Sequence, residues 1–295
     1  MPEPTPAVAI LMPDVKPGLR LGRVPLDRLT WPLGRPDRLA QGTVADLGPQ
    51  DHLVGFPQNL FLLRPGLGTK ARVSILMAEP EAIHGAYQRK VARRAKRFHR
   101  VLSYNEALLA KIPNGIFFPY GSTWVPEWRE LDLTKRRMCS LIASKKRSQE
   151  GHVLRHATVE HIEARGCDVD VMGQGYKPFG AKAEGLAPFR YSVVIENVRE
   201  RNCFTEKVVD AVLCRTVPIY WGCPNLGDFM DTSGMILCDS AAEIEAALAA
   251  MSEEDYVARL PGLDAARPGA EAYADILARA ARAVLTGAPV PPVGI

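Results

Sequence analysis

Two polar groups stand close together in the second half of the chain: Glu196-Asn197, and Thr205-Glu206-Lys207 beginning nine residues later. The first closes an apolar run, residues 190–196, that reads as a buried strand. The second opens the run 206–215, which reads as a helix with Thr205 as its N-cap. A helix N-terminus offers free backbone N–H groups and about half a positive charge, which suits a phosphate. Lys207 adds a mobile cation there. Glu206, acceptor-only when ionised, suits the fixing of hydroxyl groups. The same residues also make an ordinary helix start, because Thr and acidic residues favour first turns. A ligand role and a capping role therefore both stand at this point.

Other residues carry chemistry with less context. Arg155 falls within a helical run, 150–165, stopped by Gly166; an arginine fork grips diphosphates in a bidentate way, although a lone helical Arg is usually solvated. Glu79 follows the apolar run 72–77 and precedes Pro80, which holds it extended; a carboxylate there is placed to take a proton from a hydroxyl, or is a plain surface loop residue. Gly173-Gln174-Gly175 ends a strand over 168–172, and Gly222 ends another over 216–221. Asp168-Val169-Asp170 has the form of a metal-holding DxD, but it lies at the start of its strand and reads as a polar strand entry, so no metal site is expected. The basic run from Arg89 to Arg100 reads as a solvated helix face; the sharper reading is peripheral contact with anionic lipid head groups or a lipid-linked acceptor.

The elements that must position these residues follow from the apolar pattern. The chain has 295 residues, 47% of them hydrophobic, enough for two packed α/β domains. Residues 7–13, 59–63, 72–77 and 116–121 read as strands of the first half, with a basic helical segment between 81 and 100. A charged stretch, 127–137, reads as the interdomain linker. Beyond it strands at 138–144, 168–172, 190–196, 216–221 and 235–238 alternate with helices at 150–165, 206–215, 241–251 and 269–286. Near-continuous apolar strands in such alternation imply a parallel sheet covered on both faces, with ligands at the carboxyl ends of the strands. The expected division is 1–130, 131–288 and a tail, 289–295, with a cleft between two Rossmann-like domains. The six cysteines form no CxxC pair and read as reduced thiols. No leader or membrane-spanning run is visible, so a cytoplasmic protein is expected, with peripheral contact at the inner membrane face as the extension of the basic-helix reading. A net charge of +4 is too mild to argue for nucleic acid.

The stretch 191–225, YSVVIENVRERNCFTEKVVDAVLCRTVPIYWGCPN, resembles the donor-binding signature of the α1,3/α1,4-fucosyltransferases, glycosyltransferase family 10. Glu196-Asn197, Thr205-Glu206-Lys207, Val217-Pro218 and Gly222 carry it. Leu102-Ser103-Tyr104, Pro119-Tyr120-Gly121, Glu79-Pro80 and Arg155 extend the resemblance outward, whereas residues 1–70 match nothing. The resemblance implies a type B glycosyltransferase in which the first half takes the glycan acceptor (an oligosaccharide, lipopolysaccharide or other glycan) and the second takes GDP-fucose. It implies Glu79 as general base, Arg155 and Lys207 on the diphosphate, and Asn197 and Glu206 on the nucleotide-sugar. Inversion in a single displacement follows, with no cofactor and no metal. The family's Tyr is replaced by Cys203, and Phe204 beside it is the candidate to supply the lost surface. Val198 stands where Ser is common. The lack of a stalk and anchor points to a bacterial type.

A degenerate, inactive transferase is a third reading, against which the presence together of Glu79, Arg155, Glu206 and Lys207 argues; two rival functions stand beside it. One is the same scaffold using another nucleotide-sugar, which a donor panel separates. The other is a non-catalytic binder of nucleic acid or anionic membrane built on the basic helix; Tyr87 and Phe98 are too few aromatics for a nucleic-acid face.

Overall fold

The structure is a computed structural model and describes residues 5–289 except 17 and 19. The chain divides into two compact units, one running to Pro119 and returning at Ile276, the other being Tyr120–Asp275.

The first unit is built on five parallel strands, β1 (Val8–Leu11), β2 (His52–Gly55), β3 (Arg72–Met77), β4 (Val101–Ser103) and β5 (Gly115–Phe117), side by side in chain order. Right-handed crossovers between strands in this order all fall on one face. That face packs Ala9, Leu11, Leu53, Ile75 and Val101 against the connecting segments, which include α1 (Asn59–Leu63), α2 (Glu81–Arg93) and α3 (Glu106–Leu109). Alternate residues point the other way, and Val8, Ile10, Val54, Leu76 and Leu102 form a second core with Ala280, Ala281 and Val284. Those alanines sit on the last helix of the described chain, Ile276–Thr286.

The second unit has β6 (Arg137–Ile142), β7 (Val169–Met172), β8 (Phe189–Ile195), β9 (Val217–Trp221) and β10 (Ile236–Leu237), all parallel, in the order β10-β9-β8-β6-β7. Helices α4 (Glu150–Arg165), α5 (Glu206–Leu213), α6 (Ala241–Ala250) and α7 (Glu253–Ala274) pack around this sheet. Chain order reverses where β6 meets β8, which makes that junction a topological switch point. Helix α4 ends at Gly166, whose φ of 61° is the left-handed cap conformation.

Several expectations change. Residues 59–63 are helical rather than extended; the strand missed between Asp51 and Phe56 takes their place in the sheet. The charged stretch 127–137 is no linker. Trp128 is buried under the Arg129 and Arg267 guanidiniums. Lys135 Nζ donates to Ala187 O, Cys214 O and Thr216 Oγ1 at 2.7–3.0 Å. The expected helix 269–286 is the end of α7, a break at Asp275, and the helix that we number α8 (Ile276–Thr286). Because α8 closes the core of the first unit, the expected division at 130/131, with everything to 288 in the second domain, does not describe the packing. From residue 290 onward the expected tail lies outside the described residues. No helix among the described residues is long and apolar enough to cross a membrane.

Candidate functional site

At the β6–β8 switch point, on the carboxyl side of both strands, lies a cavity of about 560 Å³. Ile142 and Ser144 line it from the end of β6, and Ser192 to Ile195 and Asn197 from β8. Arg155 reaches it from α4, Glu206 and Lys207 from the start of α5. The cations Lys146, Arg155, Lys182 and Lys207 face a single lining carboxylate, Glu206. Such a balance favours an anion.

Close backbone approach builds the site. A Cβ at Gly151, in the first turn of α4, would fall 1.8 Å from Glu196 O, so only glycine lets the helix N-terminus meet the end of β8; Gly151 N donates to Asn197 O there at 3.0 Å. Gly222 leaves room in the same way, since a Cβ on it would meet Glu196 Cγ at 2.5 Å. Glu196, 1% exposed, fills the slot thus made. Its carboxylate accepts from Thr205 N at 2.8 Å, from Thr205 Oγ1 at 2.7 Å and from Lys207 Nζ at 3.2 Å. Thr205 caps α5 by accepting from Lys207 N. The end of one strand therefore fixes the start of the next helix.

The charges are mutually held. Burial works against the Lys207 ammonium, but Glu196 and Glu206 outweigh it and keep its pKa above the ordinary lysine value. Burial likewise works against ionised Glu206, and Lys207 and Lys182 outweigh it and keep the carboxyl below its usual range. Both groups thus stay charged at neutral pH. Arg155 is buried; its Nε and Nη2 donate to Ile195 O at 2.9 and 2.5 Å, and Nη2 donates to Asn197 Oδ1 at 2.9 Å. Burial lowers its pKa against the pull of Glu196 and Glu206, and an arginine so lowered remains cationic. Burial also depresses His152, with Arg155, Lys146 and Lys207 adding to it.

Of the residues singled out in the sequence, Arg155, Asn197, Glu206 and Lys207 converge on the cavity. Glu196 and Thr205 act behind it, as the anchor and cap just described. Cys203 and Phe204 do not line it. Phe204 is fully buried against Phe229 and Tyr273, with ring centroids 5.0 and 4.9 Å away, and Cys203 is 2% exposed. Apolar packing, not a ligand, claims the position expected to replace the family's aromatic. Gly173 and Gly175 shape a turn instead. Their φ values are 110° and 105°, and a Cβ on Gly173 would strike Ala143 O at 2.1 Å. The residue between them, Gln174, lines the cavity. Asp170 pairs with Arg137 at 2.8 Å, at the opening of β7. Glu79 is exposed just after β3, near enough to His84 to oppose the lowering that burial imposes on that imidazole. Its neighbour Glu81 opens α2 and accepts from Asn105 Nδ2 at 3.3 Å.

Sequence reading missed Lys146, His152, Lys182 and Trp124 among the lining residues. Only Lys146 left a usable signal: Lys145-Lys146-Arg147 directly follows an apolar strand, where ligands of parallel sheets gather.

Two parallel α/β units with this topology define the glycosyltransferase type B fold, which the chain shares with an α,α-trehalose 6-phosphate synthase of Burkholderia multivorans over 81% of this chain and 72% of that one, at 10% identity and a TM-score of 0.54. A solved α1,3-fucosyltransferase with GDP is similar over 70% of this chain and 68% of its own, at 16% identity and a TM-score of 0.47. In sequence, the chain is 29% identical over 99 residues to the α-(1,3)-fucosyltransferase FucT of Helicobacter pylori. That stretch is 33% of this chain and 20% of the relative's length. No family model matches the chain.

Proposed function

We propose that this chain is an inverting glycosyltransferase that moves fucose from GDP-fucose to a hydroxyl of a glycan acceptor. The observation that carries the reading is the cation-lined cavity at the β6–β8 switch point, to which the segment 191–225 contributes Ser192 to Ile195, Asn197, Glu206 and Lys207, and α4 contributes Arg155. In this reading Lys207, Arg155 and the N-terminus of α5 receive the diphosphate. They stabilise the negative charge that builds on GDP as the glycosidic bond breaks, which is electrostatic catalysis where charge develops. Asn197 and Glu206 hold the nucleotide-sugar. Glu79 removes the proton of the acceptor hydroxyl as that oxygen attacks the anomeric carbon and the bond to the diphosphate breaks. The similarity to the Helicobacter pylori enzyme supports fucose as the sugar. Lysine and arginine in the cavity supply the positive charge, so donor binding is expected without a divalent cation.

The test is calorimetric titration of the protein with GDP, GDP-fucose and a panel of other sugar nucleotides, with and without a chelator, followed by assay for GDP release. Binding of GDP-fucose that survives chelation, with slow hydrolysis of that donor alone, is the expected result. Preference for another sugar nucleotide would change the donor and keep the class. Loss of binding on chelation would return Asp168 and Asp170 to consideration.

A further inference from the structure

Trp124 combines two properties that rarely coincide. Its side chain is 63% exposed, the highest value for any large apolar side chain among the described residues. Its backbone is clamped to the interior. Trp124 N donates to both oxygens of Asp210, at 3.1 and 3.3 Å. Thr123 Oγ1 donates to the same carboxylate at 2.5 Å. Asp210 is fully buried on α5 and paired with Lys182 Nζ at 2.7 Å. An exposed indole forgoes the gain from burying a large apolar surface, yet here a buried carboxylate fixes the main chain that presents it.

The ring also lines the cavity. Lys182 Nζ stands 5.0 Å from its centroid and 3.7 Å from Glu206 Oε1; Glu206 in turn touches Lys207 at 3.2 Å. Contacts therefore run in the order Trp124, Lys182, Glu206, Lys207. A group attached to a diphosphate held at Lys207 meets the ionised Glu206 carboxylate first, then the Lys182 ammonium, and then the aromatic face of Trp124. That pairing matches a sugar ring, whose hydroxyl edge donates to a carboxylate while its C–H face lies on an aromatic surface. Ile142, Phe179 and Leu186 add apolar lining elsewhere in the same cavity, against which a flat base can lie.

We infer that Trp124 is the platform on which the sugar of the nucleotide-sugar lies, and that it sets the preference for a donor with an apolar ring face. This rests on the donor reading given above. Three proteins are titrated with GDP and with GDP-fucose: wild type, Trp124→Ala and Trp124→Phe. Trp124→Ala is expected to bind GDP-fucose roughly tenfold more weakly, the scale of one lost aromatic contact, and to bind GDP as wild type does. Trp124→Phe retains most of the GDP-fucose affinity. The thermal midpoint stays near wild type in both variants, because the ring is exposed. Equal loss for GDP and GDP-fucose would put the base on the ring and overturn the assignment. So would unchanged GDP-fucose affinity in Trp124→Ala while wild type binds both ligands. A wild-type protein that binds neither overturns the donor reading itself, and this inference with it.

Discussion

Lys207 is asked to satisfy two carboxylates and, in the proposed reaction, a diphosphate. Removing it has two separable effects. Hydrogen bonds to charged groups are worth on the order of 1.5–3 kcal/mol, so Lys207→Ala should weaken GDP binding by roughly ten- to hundredfold. The same change leaves Glu196 buried with only its Thr205 donors, so the thermal midpoint should fall as well. Calorimetry well below that midpoint separates the two; unchanged GDP affinity there would move the diphosphate elsewhere. Glu79 makes the complementary case. General-base catalysis is typically worth about 10²–10⁴ in rate, so Glu79→Gln should lower kcat by that order while GDP affinity holds. Glu81, already engaged by Asn105, should tolerate the same substitution; a collapse of turnover in Glu81→Gln instead would transfer the role. At this scale the sequence was readable where chemistry and local structure coincide, as at Thr205-Glu206-Lys207, where a cap, a helix start and a cation share three residues. It was unreadable at Lys182 and Trp124. Neither sits in a motif, and both are held at the cavity by the buried Asp210. Phe204 misled for the opposite reason: a neighbour of the signature position, expected to supply an aromatic surface to the ligand, is a core residue by packing.

Elements were legible in proportion to how far local pattern decides them. The strands of the second unit and helices α4, α5 and α6 follow an alternation of apolar runs and amphipathic segments, and the structure keeps it, cap for cap at Thr205 and Gly166; the part of α7 before residue 269, which contains Pro261 and Pro268, was not expected. Residues 59–63 show the limit. Five apolar-rich residues fit a buried strand or a buried helical turn equally well, and the adjacent run His52–Gly55 already supplies the strand. The stretch 127–137 was misread through its charge, because Lys135 sends its ammonium inward to three acceptors. Burial pulls that amine down to about 7. The last helix, α8, is amphipathic in a way that shows it must be covered, but not by which unit. Its placement yields a test. Truncation before Ile276 strips one face from Val8, Ile10, Leu76 and Leu102, an apolar patch of the kind that drives aggregation. The truncated protein should lose the cooperative unfolding of the first unit and aggregate. GDP binding, whose proposed residues all lie in Tyr120–Asp275, should survive in the soluble fraction. Full stability of the truncated chain would mean that α8 contributes little to that core.

Across the molecule, partly and fully buried histidines contribute to the response to acid, and they do so unevenly. In the first unit His52 is 2% exposed, and its Nδ1 has no hydrogen-bond partner. Burial, with the charges of His99 and Arg72 adding to it, pulls its pKa from 6.5 to about 4. Burial also lowers His84 and His99 in the same unit. The sign follows from linkage. Between the folded and unfolded pKa values the unfolded chain binds the extra proton, so stability is complete above about pH 6.5 and falls as pH drops towards 4. One such proton is worth up to about 1.4 kcal/mol per pH unit. Two units need not unfold together, and Trp31 is the only tryptophan in the first, which gives it a fluorescence signal of its own when the other three tryptophans are replaced by Phe. Urea titrations at pH 7.5, 6 and 5 should show the Trp31 transition moving to lower denaturant as pH falls. His52→Leu, similar in volume and free of both the proton and the orphaned nitrogen, should flatten that dependence. A transition that stays put between pH 7.5 and 5, or one that shifts as steeply in His52→Leu as in wild type, would show that the acid response does not arise at His52.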